Sequence, residues 1–179
     1  VAENHYFNKD YEKAKKVLKK FKKDDDFYYW FRLKKEAQII SAQRNNQESL
    51  NFIKFNFDKI ENPNEKILFD VANFYKKAKN YEEAIRYYSK IIENLDDNSD
   101  IKSDILYRRG GTYERIKNYE KADKDLIDAL QITPDDAYIL NYLAYSWLER
   151  DYKINEAIKM LETAYELESD DPYIIDSIG

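Results

Sequence analysis

Small side chains recur along this chain at a nearly fixed interval, and that interval restricts the folds open to it. Ala37, Ala72, Gly110, Ala144 and Gly179 are separated by 35, 38, 34 and 35 residues. A second set, Ala14, Ser49, Ala84, Ala122 and Ala157, is spaced by 35, 35, 38 and 35. Large apolar residues keep the same phase. Leu33, Leu68, Leu106, Leu140 and Ile175 lie four positions before the first set, and Ile40, Tyr75, Tyr113 and Trp147 lie three after it. Two independent registers over 179 residues describe an array of similar units, each too small to bury its apolar face alone.

Within one period the apolar spacing is helical. Leu106, Gly110 and Tyr113 fall at i, i+4 and i+7, as do Ala122, Leu126 and Ala129. Pro63, Pro134 and Pro172 sit between periods, where proline stops one helix or starts the next. Asp135-Asp136 and Asp170-Asp171 share those junctions and suit the positive ends of the following helices. Polar turns such as Lys79-Asn80 and Lys117-Asn118 divide each period into two helices. No strand pattern competes. Short side chains let two antiparallel helices approach, and their large neighbours fill the groove so made.

Residues 103–136 carry the most specific pattern. Leu106, Gly110, Tyr113, Ala122, Leu126, Ala129 and Pro134 resemble the tetratricopeptide repeat, a helix-turn-helix unit of 34 residues. Arg109 departs from it, since that slot is usually leucine. The resemblance implies an all-α, right-handed superhelical solenoid of antiparallel helix pairs. Its expected division is a partial repeat 1–29, repeats 30–64, 65–102, 103–136 and 137–171, and a partial repeat 172–179. Repeat 65–102 has its excess near Asp97 to Lys102, and repeat 137–171 has an extra residue around Asp151 to Ile154. Repeat 30–64 is degenerate, with Ser49 and Asn56 in small-residue slots. Ala2 and Gly179 both occupy the small slot of a first helix, so the chain is expected to be a window from a longer protein.

Several kinds of chemistry find no footing. Cysteine is absent, and His5 is the single histidine, with no serine, carboxylate or second histidine at a catalytic spacing. Asp96-Asp97-Asn98-Ser99-Asp100 begins like a calcium loop, but Ile101 replaces the glycine and Tyr107 the glutamate that such a loop requires. Nucleotide-loop and zinc-protease motifs are missing. No enzyme activity, cofactor or metal is therefore predicted. No apolar run approaches the ~20 residues that span a bilayer, and no membrane insertion of this segment is predicted. A net charge of -5 argues against nucleic acid. The lysines between Lys13 and Lys23 alternate with Ala14, Val17, Leu18 and Phe21 as on the wet face of a packed helix. Charge is nevertheless segregated: residues 1–60 carry 14 basic and 9 acidic side chains, and residues 120–179 carry 5 and 15. The seventeen tyrosines follow from an AT-rich codon bias as readily as from binding.

The resemblance further implies that the first helix of each unit lines a concave groove. The side chains projected onto it are Lys34, Lys35, Gln38, Lys66, Phe69, Asn73, Lys76 and Lys77, then Tyr107, Arg108, Arg115, Tyr138, Asn141, Tyr142 and Tyr145. Cations and amides interleaved with aromatics suit an extended, partly acidic peptide. The clamp of lysine, asparagine and arginine residues by which one subfamily holds chaperone tails is incomplete here, and Asp70 and Asp104 would stand where the ligand's acid goes. The expected function is a non-catalytic protein-protein scaffold or adaptor with a protein or peptide partner. Alternatives are a scaffold segment of a larger enzyme and self-assembly through the end repeats into a homo-oligomer. The stretch from Tyr138 to Gly179 resembles bacterial repeat proteins, some lipid-anchored, which leaves the compartment open between the cell envelope and the cytoplasm.

Overall fold

A computed structural model of the chain describes residues 1–21 and 26–178, with the side chains of Asp26 and Ile178 excepted. Lys22, Lys23 and Gly179, named in the sequence patterns above, lie outside the described residues. Eleven helices and no strand occur among the described residues. They fall into two compact units, Val1–Tyr87 and Tyr88–Gly179.

The first unit contains α1 (Ala2–Phe7), α2 (Tyr11–Leu18), α3 (Asp26–Gln43), α4 (Asn46–Phe57), α5 (Glu65–Lys77) and the start of α6 (Tyr81–Ile92). Its small residues are buried: Ala14 and Ser49 are 1% exposed, and Ala37, Ala72 and Ala84 are 0%. Ser49 occupies a slot where alanine is usual, and its hydroxyl donates to the Ala37 carbonyl at 2.7 Å. Asn56 likewise donates to the Phe52 carbonyl at 2.8 Å. A polar group in a small slot is tolerated because a backbone acceptor lies within reach. Ala37 against Ser49 and Trp30 against Phe57 run in opposite chain directions, so α3 and α4 are antiparallel.

The second unit contains the end of α6, then α7 (Asp100–Arg115), α8 (Tyr119–Ile132), α9 (Ala137–Leu148), α10 (Ile154–Leu167) and α11 (Pro172–Ile178). Leu106, Leu126, Ala129, Leu143, Ala144, Trp147 and Ala157 belong to one core. Gly110 has a steric reason. A Cβ there would stand 3.0 Å from Leu126 Cγ and 3.2 Å from the Ala122 carbonyl oxygen, so α7 and α8 touch backbone to backbone. Arg109, odd in its leucine slot, is explained by a pair. Its Nε and Nη2 each donate to Asp125 at 2.7 Å, and Nη1 donates to Ser89 at 2.9 Å. One position departs from the sequence pattern. Ile175 is 44% exposed and its neighbour Ile174 is 0%, because Ile174 is the residue of α11 that packs on Ala137, Leu140 and Ala164.

Four of the turns inside the pairs share one geometry. Asp10, Asn80, Asn118 and Tyr152 donate their amides five residues back, to His5, Tyr75, Tyr113 and Trp147. The residue before each, Lys9, Lys79, Lys117 or Asp151, has φ between 52° and 60°. This is the left-handed helix stop that usually takes glycine. The extra residue of the α9–α10 turn adds a second left-handed position at Lys153, φ 43°, whose ammonium lies 4.6 Å from the Trp147 ring. Helix starts are capped by short polar side chains, Asp136 among them as its junction implies. Asn45, Asn64, Ser99, Asn118 and Asp136 all accept amides of the first turn. Helices α3 and α7 begin at Asp26 and Asp100, so the boundaries drawn at 30 and 103 fall inside helices. Among the described residues no helix is long and apolar enough to cross a membrane.

Candidate functional site

In the first unit, three successive first helices, α1, α3 and α5, surround a cavity of about 410 Å³. Ala14, Leu18 and Ile39 line it as part of a buried cluster. Its polar members are Glu3, Lys35, Gln38, Ser41 and Lys77. Lys35 pairs with Glu3 at 2.6 Å and lies 5.6 Å from the Phe31 ring centre. That hydrogen bond and charge hold the Glu3 carboxyl below its ordinary pKa. Lys77 is exposed at the rim.

A second cavity of about 210 Å³ lies between the starts of α3 and α5, with Phe27, Trp30, Phe31, Lys34, Lys35 and Lys66 among its walls. Asp70, 7% exposed, accepts Trp30 Nε1 at 2.9 Å and Lys34 Nζ at 2.5 Å. Lys34 is thus already matched to a carboxylate, which is the physical obstacle to a chaperone-tail clamp at this place. Lys66 sits over the Phe27 ring at 5.8 Å. Phe69, Asn73 and Lys76 are half-buried on α5.

In the second unit, Tyr107 and Tyr142 meet edge to face with centres 5.5 Å apart. Tyr142 donates its hydroxyl to Glu114, and its ring covers Gly111, where a Cβ would approach the hydroxyl to 3.2 Å. Burial first, and then the Glu114 carboxylate, push the Tyr142 phenol far above its usual pKa. Burial likewise raises Tyr107 to about 12. Tyr138 donates to Asp171 at 2.7 Å. Arg108 Nε is held by both Asp104 oxygens at 2.9 and 3.1 Å. Tyr145 and Arg115 are exposed. Asn141 differs from the expectation of a groove residue: it is 0% exposed, and neither side-chain atom has a hydrogen-bond partner among the described residues. Helix α9 is packed by α8, α10 and α11, which leaves Tyr138 and Tyr145 as its exposed side chains.

The sequence alone did not single out Glu3 and Tyr6 of the first cavity, nor Asp100 and Asp136 as lining residues in the second unit. Glu3 and Tyr6 follow Ala2 at the distances at which Gln38 follows Ala37 and Lys76 follows Ala72, so phase was the available signal for them; Asp100 and Asp136 have no such counterpart among the projected residues. Among the described residues no group of three or more His, Cys, Asp or Glu side chains is placed to hold a metal ion.

Stacked antiparallel helix pairs with cavities between successive first helices define a helical-repeat scaffold, a class that works by holding other proteins. The family model described as tetratricopeptide repeat matches residues 65–94 and 103–136. A TPR repeat-containing protein of Pseudomonas aeruginosa is 35% identical over 75 residues. That match takes in 42% of this chain and spans 13% of the length of the relative. Residues 65–94 and 103–136 thus carry tetratricopeptide repeats. The chain's fold is shared with crystalline MamA, at TM-score 0.70, 16% identity and coverage of 94% of this chain and 95% of the other. It is shared also with YrrB, described as a TPR protein with an unusual peptide-binding site, at TM-score 0.68, 12% identity and coverage of 98% and 87%. At these identities the likeness is one of fold.

Proposed function

We propose that the chain is a non-catalytic adaptor whose first helices hold a segment of a partner protein. The observation that carries this reading is the cavity shared by α1, α3 and α5, with an apolar floor and a charged rim. Such a site takes apolar side chains inside and fixes the segment's direction by its polar edge. Lys35, Gln38 and Lys77, projected onto the groove from the sequence, all line it. The peptide-binding site named for YrrB supports the same use of the fold. The absence of catalysis in this reading rests on the family, whose members are generally scaffolds.

The test is a cavity-blocking substitution. Ala42 lines the cavity and is exposed, so Ala42→Trp fills it without removing a core contact, and Lys77→Glu reverses the rim. Affinity capture with the purified chain, read by mass spectrometry, is expected to lose its partner with either variant while far-UV circular dichroism stays unchanged. Retention of every partner by both variants rejects the reading.

A further inference from the structure

The second unit presents a cleft whose chemistry is opposite to that of the first. Helix α7 and the start of α9 enclose about 480 Å³, lined by Asp100, Ser103, Asp104, Tyr107, Thr133, Asp136, Tyr138 and Ile139. Three of these eight residues are aspartates and none is lysine or arginine. The floor is already satisfied, since Ser103 Oγ lies 3.1 Å from the Ala129 carbonyl and 2.6 Å from Thr133 Oγ1. The mouth is not. Asp136 spends one oxygen on the amides of Tyr138 and Ile139, each at 3.0 Å, and its other oxygen has no hydrogen bond among the described residues. Asp100 is exposed in the first turn of α7. Asp104 shares its charge with Arg108. Two phenol rings, Tyr107 and Tyr138, form walls, and the Tyr138 hydroxyl is tied to a further carboxylate, Asp171.

We infer that this cleft holds a lysine or arginine side chain from a basic segment of a partner protein, the cation lying against Tyr107 and Tyr138 and facing Asp100, Asp104 and Asp136. Ring faces attract cations, most strongly where water is partly excluded. Carboxylates at the mouth add charge-assisted hydrogen bonds. The surroundings act in the same sense, because residues 88–179 carry 11 basic and 21 acidic side chains, a field that draws a cationic segment in and repels an acidic one. The inference rests on the adaptor reading and specifies what the second unit selects. It reverses the acidic ligand expected from the sequence for this part of the groove.

The probe is a fluorescein-labelled nonapeptide alternating lysine and leucine, with a glutamate–leucine peptide of equal length as its counterpart. Anisotropy is read with the full chain at about 0.15 M salt, where surface charges are screened beyond ~8 Å. The lysine peptide is expected to bind at least ten times more tightly. Asp104→Asn with Asp136→Asn, which keeps the helix cap, is expected to erase that preference with an unchanged melting curve. Glu162→Gln with Glu166→Gln removes the same charge from α10 and is expected to preserve it. Equal affinity for the two peptides, no binding of either at millimolar concentration, or equal losses in the two double variants overturns the inference. Lys77→Glu and Ala42→Trp act in the first unit and leave this measurement unmoved, so the cavity reading and the cleft reading fail separately.

Discussion

Replacing Arg109 by leucine restores the residue usual for its slot and yet is expected to destabilise the protein. The reason is Asp125, whose side chain is 5% exposed and whose two oxygens each accept from Arg109 at 2.7 Å. Leucine removes both bonds and the Ser89 bond and leaves a carboxylate buried without its cation. Breaking one side of a buried pair costs about 3–5 kcal/mol. Arg109 retains 18% exposure, so water reaches the edge of the pair, and the lower end, about 3 kcal/mol, applies. Asp125→Leu costs less, about 1–2 kcal/mol, because the long arginine stem can carry its charge outward. The double variant puts two apolar groups together and is expected within about 1 kcal/mol of the parent. Urea denaturation followed by circular dichroism reads this directly. With a slope of about 2–3 kcal/mol/M, Arg109→Leu moves the midpoint down by about 1–1.5 M. A single variant within about 1 kcal/mol of the parent, or a double variant as unstable as Arg109→Leu, refutes the argument.

Two further outcomes test the packing. Gly110→Ala is expected to lower stability by about 1–2 kcal/mol, since its new methyl meets a backbone carbonyl at 3.2 Å. Gly111→Ala meets only the movable tip of Tyr142 and is expected to be near neutral, so equal losses in thermal melts would discard the backbone-contact account. Burial raises Tyr88 and Tyr107 to about 12, against about 10 in an unfolded chain. Their contribution is therefore fully present below about pH 10 and disappears as pH rises to about 12; for the fully buried Tyr88 it amounts to about 2–3 kcal/mol. Absorbance titration at alkaline pH should show these phenols ionising last, together with unfolding. Their ionisation alongside the exposed tyrosines, with the fold intact, would contradict their burial.

The helical architecture was legible because it depends on local periodicity. Ala37, Ala72, Ala84, Ala122, Ala144 and Ala157 are all at most 1% exposed, and their spacing needs no knowledge of long-range contacts. The cap at Asp136 was equally local, since a short polar side chain reaches only the next turn. The candidate site was legible in phase and not in chemistry. Lys35, Gln38 and Lys77, projected onto a groove, line a cavity of the first unit. Lys34 is matched by Asp70, 36 residues away, and Tyr142 by Glu114, 28 residues away; no periodicity predicts such partners. Asn141 has the phase of a groove residue but is closed off by the packing around α9.

By itself, then, the order of residues determined that helices form, how they pair, and which side chains are small enough to let them meet, because these follow from a repeat of 34 to 38 positions and from contacts within a turn. Only the tertiary structure decided which charges remain available to a partner. That depends on ion pairs and ring contacts between separate helices, and the free charge left after such pairing is set by distance in space, not by position in the chain.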